Sequence, residues 1–433
     1  MKSKSLTLSI LGLSFVAFLS GGLWTYSWSN ERVREAYRSL EKFARVYEII
    51  KSQYVEEPDD SELVDGAIRG MLQSLDEHSV YLTAQDFKDM QEDTRGRFGG
   101  LGIEISMRNN QLTVVAPIEG TPAEKAGILS GDVIAFIEDQ PTSKMTLIEA
   151  VKLMRGEPNS KVTIRIKREG VPDLIRMSLK RAIIQSRSVQ AELKDNNIGV
   201  VRLRGFSERS SSELREAIRK FRNEIREKES ASDLRALILD LRSNPGGLLQ
   251  QAVEVSDVFL REGLIVYTQG RDKQRVSRSF ANSSGTEPDY PMVVLINRGS
   301  ASASEIVAGA LQDQKRARVI GTKSFGKASV QHVIPLEDGS GIKLTVAHYY
   351  TPSGRQIQGE GIEPDQIVRG PFDRDPDEDS EERSEGEKRS EGPEAPTSEG
   401  VAQTEPPVDP EEVGDPQMDA AIEYLSRRLA MAR

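Results

Sequence analysis

Apolar and aromatic residues recur in steps of three and four between Glu31 and Tyr54, at Val33, Ala36, Leu40, Phe43, Tyr47, Ile50 and Tyr54. That spacing predicts a helix with a narrow, heptad-like seam, suited either to packing on its own chain or to pairing with another subunit. The next segment, "SELVDGAIRGMLQSLDEHSVYL", predicts a second helix from about Ser61 to Leu75, capped by Ser61 and ended by a turn around Asp76. From Arg95 to about Arg181 the pattern changes to short β-rich runs broken by glycine: "FGGLGIEISM", "QLTVVAPI", "DVIAFIED", "KVTIRIKR" and "LIRMSLKR". Two helical pieces, "TPAEKAGI" and "TLIEAVKLMRG", interrupt them, and one small domain accounts for the whole run. From Ile198 onward, strands such as "IGVVRL", "RALILDL", "MVVLIN" and "ARVIGT" alternate with helices such as "SSELREAIRKFRNEIREK" and "LLQQAVEVSDVFLRE". Alternation of this kind predicts a layered α/β core.

After Gly370 the chain turns to Glu, Pro, Ser and Gly with almost no large apolar residues, too little to offset the entropy of ordering, so a disordered linker is expected. Order returns at the end, where Asp415 can cap, Pro416 suits the first helical position, and Met418, Ala421, Ile422, Leu425 and Leu429 make one face. Such a helix is marginal alone and must dock at home, on another subunit or on a partner protein.

Composition changes the picture in three places. The 433 residues, 37% of them apolar, suffice for roughly two to three domains. The net charge of −10 sits in one tail, since Asp373 to Asp415 carries 17 acidic and 4 basic residues and the remainder is slightly positive. No basic block interleaved with aromatics occurs, so nucleic acid is not an expected partner. Lys2 and Lys4, an apolar run from Leu6 to Leu19 and the small residues Ser20, Gly21 and Gly22 have the layout of a secretory signal, and without an A-x-A site the segment could instead stay as a short anchor. The absence of cysteine excludes disulfides, thiolate metal sites and a lipidated Cys. Export without cysteine points to a bacterial envelope compartment, the periplasm, with inner-membrane anchoring if the signal is retained. No later segment reaches the ~20 apolar residues of a second span.

The candidate chemistry lies in "NRGSASASEIVAGALQDQ". Ser302 followed by Glu305 makes a capping box at the start of a helix, a sufficient structural reason for a serine there. A helix start also offers free N–H groups and a positive dipole end, which suit a nucleophile and the oxyanion it creates. A base is then required. His78, His332 and His348 are dispersed and sit in no recognisable triad, but Lys327 in "GTKSFGKASVQ", between Phe325 and Val330, would serve if burial lowered its pKa.

"GSASASEIVAGALQD" followed by "GTKSFGKASVQ" resembles the carboxyl-terminal processing peptidases, the tail-specific serine protease family with a Ser-Lys catalytic pair. "LDLRSNPGGLLQQAVEVSDVFL", "GMLQSLDEHSVYL" and "YYTPSGRQIQGEGIEPD" extend the likeness over roughly residues 40 to 370. The resemblance implies Ser302 as nucleophile, Lys327 as general base, Gln331 orienting the lysine amine, and as oxyanion donors the backbone N–H of Ala303 and of Gly246 or Gly247. Asp313 stands where the family often has an acid and reads as structural. No cofactor is implied, and no metal motif such as H-E-x-x-H occurs.

In "RGRFGGLGIEISM" a Gly-rich turn leads into an extended run, where successive N–H groups could cradle a carboxylate and Ile103 to Ile105 could pair with a peptide. With "GTPAEKAGILSGDVIAFIED" and "TLIEAVKLMRG" the region resembles a PDZ domain, Gly100, Leu101, Gly102 and Ile103 matching its carboxylate-binding loop. Leu147, Val151 or Met154 would line the opposite wall.

Together these readings predict an α/β layered protease core with an inserted PDZ domain, itself α+β and a partly open β-barrel, between helical N- and C-terminal extensions. The expected divisions are a signal peptide at 1–23, a helical region at 24–94, the PDZ domain at 95–181, the core at 182–370, the acidic linker at 371–414 and a helix at 415–433. The expected function is a serine endopeptidase that captures C-terminal ends of envelope proteins, such as cell-wall hydrolases, and cleaves them. Expected partners are those substrates, an activating adaptor in the envelope, and further copies of the chain joined through the terminal helices. The alternatives are a non-catalytic PDZ scaffold, whose mark would be loss of Ser302, Lys327 or Gln331, and a protease inactive without a partner. A cytoplasmic-type acyl-CoA enzyme on a related layered core is disfavoured by the signal segment and the PDZ module.

Overall fold

In a computed structural model, residues 34–35, 37–108, 110–229, 232–273, 276–370 and 414–431 are described. The expected signal segment and the acidic linker up to residue 413 lie outside them. The chain divides into two units, Met1–Tyr81 and Leu82–Arg433.

The described residues of the first unit form two helices and the start of the strand Val80–Leu82. Helix α1 covers 37–53, and of the seam residues Leu40, Phe43 and Ile50 are exposed, Tyr47 is half-buried, and Tyr54, just past the helix end, is exposed. Helix α2 is Asp60–Gln73, capped not by Ser61 but by Asp59, whose carboxylate accepts the N–H of Ser61 (2.8 Å) and Glu62 (3.0 Å). The aspartate, two residues earlier, reaches orphan donors that a serine inside the helix cannot.

The second unit opens with helix α3, Ala84–Arg95, which ends on Gly96 in the left-handed region. Strand Arg97–Gly100 then pairs antiparallel with Ala182–Gln185, so the small domain enters and leaves through two paired strands. Inside it, strands Ile103–Arg108, Gln111–Pro117, Val133–Ile137, Lys161–Lys167 and Ile175–Lys180 follow one another in an antiparallel path that does not close. Alternation does the sorting: along Lys161–Lys167, Val162, Ile164 and Ile166 are buried while both terminal lysines are exposed. Helix α4, Leu147–Met154, adds Ala150 and Met154 to that core.

The main sheet runs β1 Val189–Lys194, β2 Ile198–Leu203, β3 Ala236–Asp240, β4 Met292–Ile296, β5 Arg318–Gly321 and β6 Gln366–Ile367, in that order, with β1 antiparallel and the rest parallel. Strands β3 and β4 are buried along their whole length, as expected where both faces are covered. Val201, Leu203, Leu237, Leu239, Val294 and Ile296 meet helices α5 Ser210–Lys228, α6 Leu249–Asp257 and α7 Ala303–Asp313. The alternate residues Ile198, Val200, Ile238, Val293 and Leu295 meet the C-terminal helix α8, Pro416–Met431, through Ala421 and Leu425. Helix α8 therefore docks at home, and the expectation that its apolar face joins copies of the chain is corrected: this sheet face covers it. Asp415 caps it as expected, accepting Met418 N–H (3.0 Å), and Arg242 holds the Asp415 carboxylate at 2.7 and 2.8 Å. A second, antiparallel sheet contains Leu264–Gly270, Val276–Phe280 and the hairpin Ser329–Pro335/Gly341–Tyr350.

Candidate functional site

Ser302 is the residue before α7, at the sharp turn that follows β4. Its φ of 56° and ψ of −113° are costly for a residue with a Cβ, about 1–3 kcal/mol, and persist only where neighbours over-determine them. The neighbours are the other two serines. Ser300 Oγ donates to the Leu241 carbonyl (2.8 Å) and accepts Asn297 N–H (2.9 Å), while Ser304 Oγ donates to the Asn244 carbonyl (2.9 Å). Both are buried and structural, and only Ser302 lines the cleft. A strained strand–turn–helix corner of this kind pushes a hydroxyl forward at the N-terminus of a helix, where it is accessible for attack.

Glu305 does more than the capping box requires. Its buried carboxylate accepts four donors: Ser302 N–H (2.8 Å), Lys327 N–H (2.9 Å), Gly326 N–H (2.7 Å) and Ser324 Oγ–H (2.6 Å). One side chain thus ties the serine corner to the lysine loop. Burial pushes this carboxyl above its ordinary value, and the four donors work against that rise.

Lys327 lines the same cleft, of about 800 Å³. Its carbonyl accepts the phenol of Tyr349, whose N–H in turn donates to the Ala328 carbonyl (3.0 Å). Burial and the Glu305 carboxylate push the Tyr349 phenol well above its usual value, whereas an interaction with the Ser302 hydroxyl pulls it down. Among the described residues no hydrogen bond joins Lys327 Nζ to the Ser302 hydroxyl; the phenol is the hydroxyl's neighbour. Gln331 and Val333 line the cleft from the hairpin, and His332 between them is exposed on the opposite face. His348 is exposed as well.

Of the two glycines expected as oxyanion donors, Gly246 is corrected: its N–H donates to Asn244 Oδ1 (2.9 Å). The N–H groups of Gly247 and Ala303 meet no acceptor among the described residues, and both residues line the cleft. Gly246 still matters sterically. With φ of 102°, it would place a Cβ 2.8 Å from Ser302 Cβ and 3.0 Å from Ala303 N, so only glycine leaves the nucleophile corner clear. Asp313 lies at the far end of α7, accepting Ser353 N–H (2.9 Å) and Arg355 Nη2 (2.6 Å), a structural clip as read.

In the small domain Gly102 has φ of 78°, and its carbonyl accepts Ile118 N–H (2.8 Å) while the Leu101 carbonyl accepts Ala123 N–H (3.0 Å). The N–H groups of Leu101 and Gly102 meet no acceptor among the described residues. Gly100 is held in the entry strand, and Ile103 begins the strand beside the loop. Leu147 and Val151, one turn apart on α4, stay partly open, whereas Met154 is buried in the domain core.

The residues that sequence reasoning missed are Tyr349, the loop-tying role of Glu305, and Lys343, which lines the cleft from the hairpin strand opposite Val333. Each acts through contacts between segments distant in the chain, and no local spacing signals them.

The sequence model of peptidase family S41 matches residues 197–368, that of the PDZ domain residues 99–179, and that described as "Activating protease CtpB N-terminal domain" residues 25–86. The chain is 47% identical over 362 residues to a carboxy-terminal-processing protease of Bartonella bacilliformis, covering 83% of this chain and 82% of that one. It is 40% identical over 330 residues to the carboxy-terminal processing protease CtpA of Bacillus subtilis, covering 75% and 68%. Among solved structures, a photosystem II D1 C-terminal processing protease is 30% identical, with a TM-score of 0.45 and coverage of 74% and 85%.

Proposed function

Since the chain belongs to peptidase family S41, as a carboxy-terminal-processing serine protease that carries a PDZ domain, we propose that Ser302 and Lys327 form its catalytic pair. Neutral Lys327 Nζ takes the Ser302 proton as Oγ attacks the scissile carbonyl. The oxyanion that forms is held by the N–H groups of Gly247 and of Ala303, the first residue of α7, neither of which meets another acceptor among the described residues. As the tetrahedral intermediate collapses, Lys327 returns the proton to the leaving amine. Water then attacks the acyl-enzyme with Lys327 again as base, and Gln331 steadies the amine throughout. The observation that carries this reading is the joining of the two loops by Glu305, which accepts from both Ser302 N–H and Lys327 N–H.

The substrate's C-terminal carboxylate docks on the N–H groups of Leu101 and Gly102, its last residues pair along the strand from Ile103, and apolar side chains face Leu147 and Val151. Placement of Ser302 against Tyr349 supports a resting state in which the hydroxyl must turn to Lys327 before cleavage, with a substrate end or an adaptor protein supplying the change. The basic start and apolar run of the first residues support action in the periplasm, or at the inner membrane if that segment is kept, on envelope proteins such as cell-wall hydrolases. The exposed seam of α1 supports self-association through the N-terminal helix.

The test is cleavage of an unstructured protein with an apolar C-terminus by wild type, Ser302→Ala and Lys327→Ala, with and without envelope extract. Loss in both variants is the expected result, and cleavage that survives in either removes that residue from the pair. Activity that needs the extract marks an activating partner.

A further inference from the structure

The hairpin that carries Gln331 to the cleft carries two polar groups whose partners are missing among the described residues. Along Ser329–Pro335 the residues Ser329, Gln331 and Val333 alternate onto the cleft wall, and Lys343, opposite Val333 in the register, lines the same wall. Ser329 is buried, and its Oγ has no hydrogen-bond partner. Lys343 is half-buried, and no carboxylate pairs with its ammonium. Burial, and after it the charge of Lys327, push that ammonium below its ordinary value, as befits a cation with no anion opposite.

The acids of the cleft are held by other groups. Asp86 and Asp89 of α3 accept Thr83 Oγ–H (2.7 Å) and Gln85 Nε2–H (2.7 Å), and Asp93 pairs with Arg155 at 3.0 Å. Glu305, behind the serine corner, has its two oxygens engaged by four donors. The arginines of the cleft differ from Lys343 in being exposed to water, and Arg204 faces Glu104 at 3.7 Å. A half-buried ammonium has given up part of its hydration and a buried hydroxyl nearly all of it, and only a bonding partner offsets that loss. In a cleft that receives a peptide, the partner comes with the substrate.

We propose that this hairpin face is a substrate subsite in which the Lys343 ammonium pairs with a carboxylate of the bound peptide, so that the protease prefers an acidic residue at one position near the scissile bond. The Ser329 hydroxyl, nearer to Lys327 along the strand, bonds the peptide backbone. An acidic side chain is the carboxylate expected, because the chain end docks on the N–H groups of Leu101 and Gly102 in the reading above. Val333, opposite Lys343, stands about 13 Å along the strand from Ser329, which puts the favoured acid a few residues away from the scissile bond. The subsite rests on the Ser302–Lys327 reading of the cleft and adds to it a preference among substrates.

The experiment measures kcat/KM for pairs of peptides that differ only in carrying Asp or Asn, the difference moved in turn through the positions on either side of the scissile bond, with wild type, Lys343→Met, Lys343→Arg and Lys343→Glu. Wild type is expected to favour Asp about tenfold at one position, and less so at high salt. The Asp/Asn ratio should fall to about one in Lys343→Met, which keeps the stem, persist in Lys343→Arg and invert in Lys343→Glu. Each ratio compares two peptides on one enzyme, so lost stability in a variant cancels. Ser329→Ala is expected to raise KM for both peptides alike, and an unchanged KM removes the hydroxyl from the subsite. The series is run with free and amidated C-termini: a Lys343-dependent preference that disappears on amidation overturns the acidic-residue preference and assigns Lys343 to the chain end. The inference is overturned outright if wild type distinguishes Asp from Asn at no position, or if the preference survives intact in Lys343→Met and Lys343→Glu. Cleavage surviving in Ser302→Ala or Lys327→Ala is a separate outcome that sinks the catalytic pair, whereas the ratios test the subsite alone.

Discussion

A carboxylate that accepts four hydrogen bonds from two loops leaves no tolerance for a donor in its place. Glu305→Gln keeps the shape, but its amide NH2 must face donors on one side in either orientation, against Ser302 and Lys327 N–H or against Gly326 N–H and the Ser324 hydroxyl. Each buried donor orphaned in this way costs about 1–3 kcal/mol. The variant is expected to melt earlier and to lose roughly 10–100-fold in kcat with little change in KM, since misplacement of the reacting groups rather than of the substrate is the fault; unchanged kcat would show that the tie is only structural. Gly246→Ala is expected to fall about 100-fold in kcat, because its methyl would press on Ser302 and crowd the Ala303 N–H. At this scale the sequence was readable in local setting, as with Ser302 at a helix start, and the roles proposed for Ser302, Lys327 and Gly247 rest on the cleft that all three line. Gly246 was read as an alternative donor because the sequence does not show that Asn244 takes its N–H. Tyr349 and Lys343 were invisible because strand alternation gives a residue's face, not the loop that will lie across it.

Among elements, α8 is the clearest case of a pattern that was legible and a destination that was not. Its apolar face could be read from spacing, but the sheet that receives it is built from alternate residues of four strands that also serve α5, α6 and α7. Leu425→Asp puts a charge where the side chain is fully buried, and α8 should then detach. Loss of hydrogen-exchange protection across 416–431, with protease activity largely kept, is expected, because α8 and the Ser302 corner lie on opposite faces of the sheet. Equal loss of protection and activity would instead mean that the core sheet needs its third layer to hold β4. Acid should act on the same contact. Burial alone would raise the Asp415 carboxyl, but Arg242 and the backbone donors hold it below the usual carboxylate range. A depressed folded value contributes stability above the unfolded value, about 3.9, which is lost as pH falls through the folded one. Exchange of 416–431 should therefore rise below about pH 4, and Asp415→Asn should abolish that step.

For the whole molecule, the open question is what covers the seam of α1. A helix over 37–53 that exposes Leu40, Phe43 and Ile50 shows little burial on that face among the described residues to repay its ordering, and an isolated helix of such length is marginal in water. The three-and-four spacing that marked it in the sequence is the spacing of a helix that pairs with another, and a second copy offers an identical seam with the same period. The C-terminal helix is not available for this role, since its apolar face is buried on the sheet. Replacing Leu40 and Phe43 together by Asp should therefore shift the full chain to a smaller species in sedimentation velocity, while leaving the thermal transition of the protease core in place because neither residue belongs to the core clusters. If wild type sediments as a monomer at every concentration, the seam awaits a different partner, and the double variant should then lose activation by envelope extract rather than mass. If neither mass nor activation changes, the seam is not an association surface.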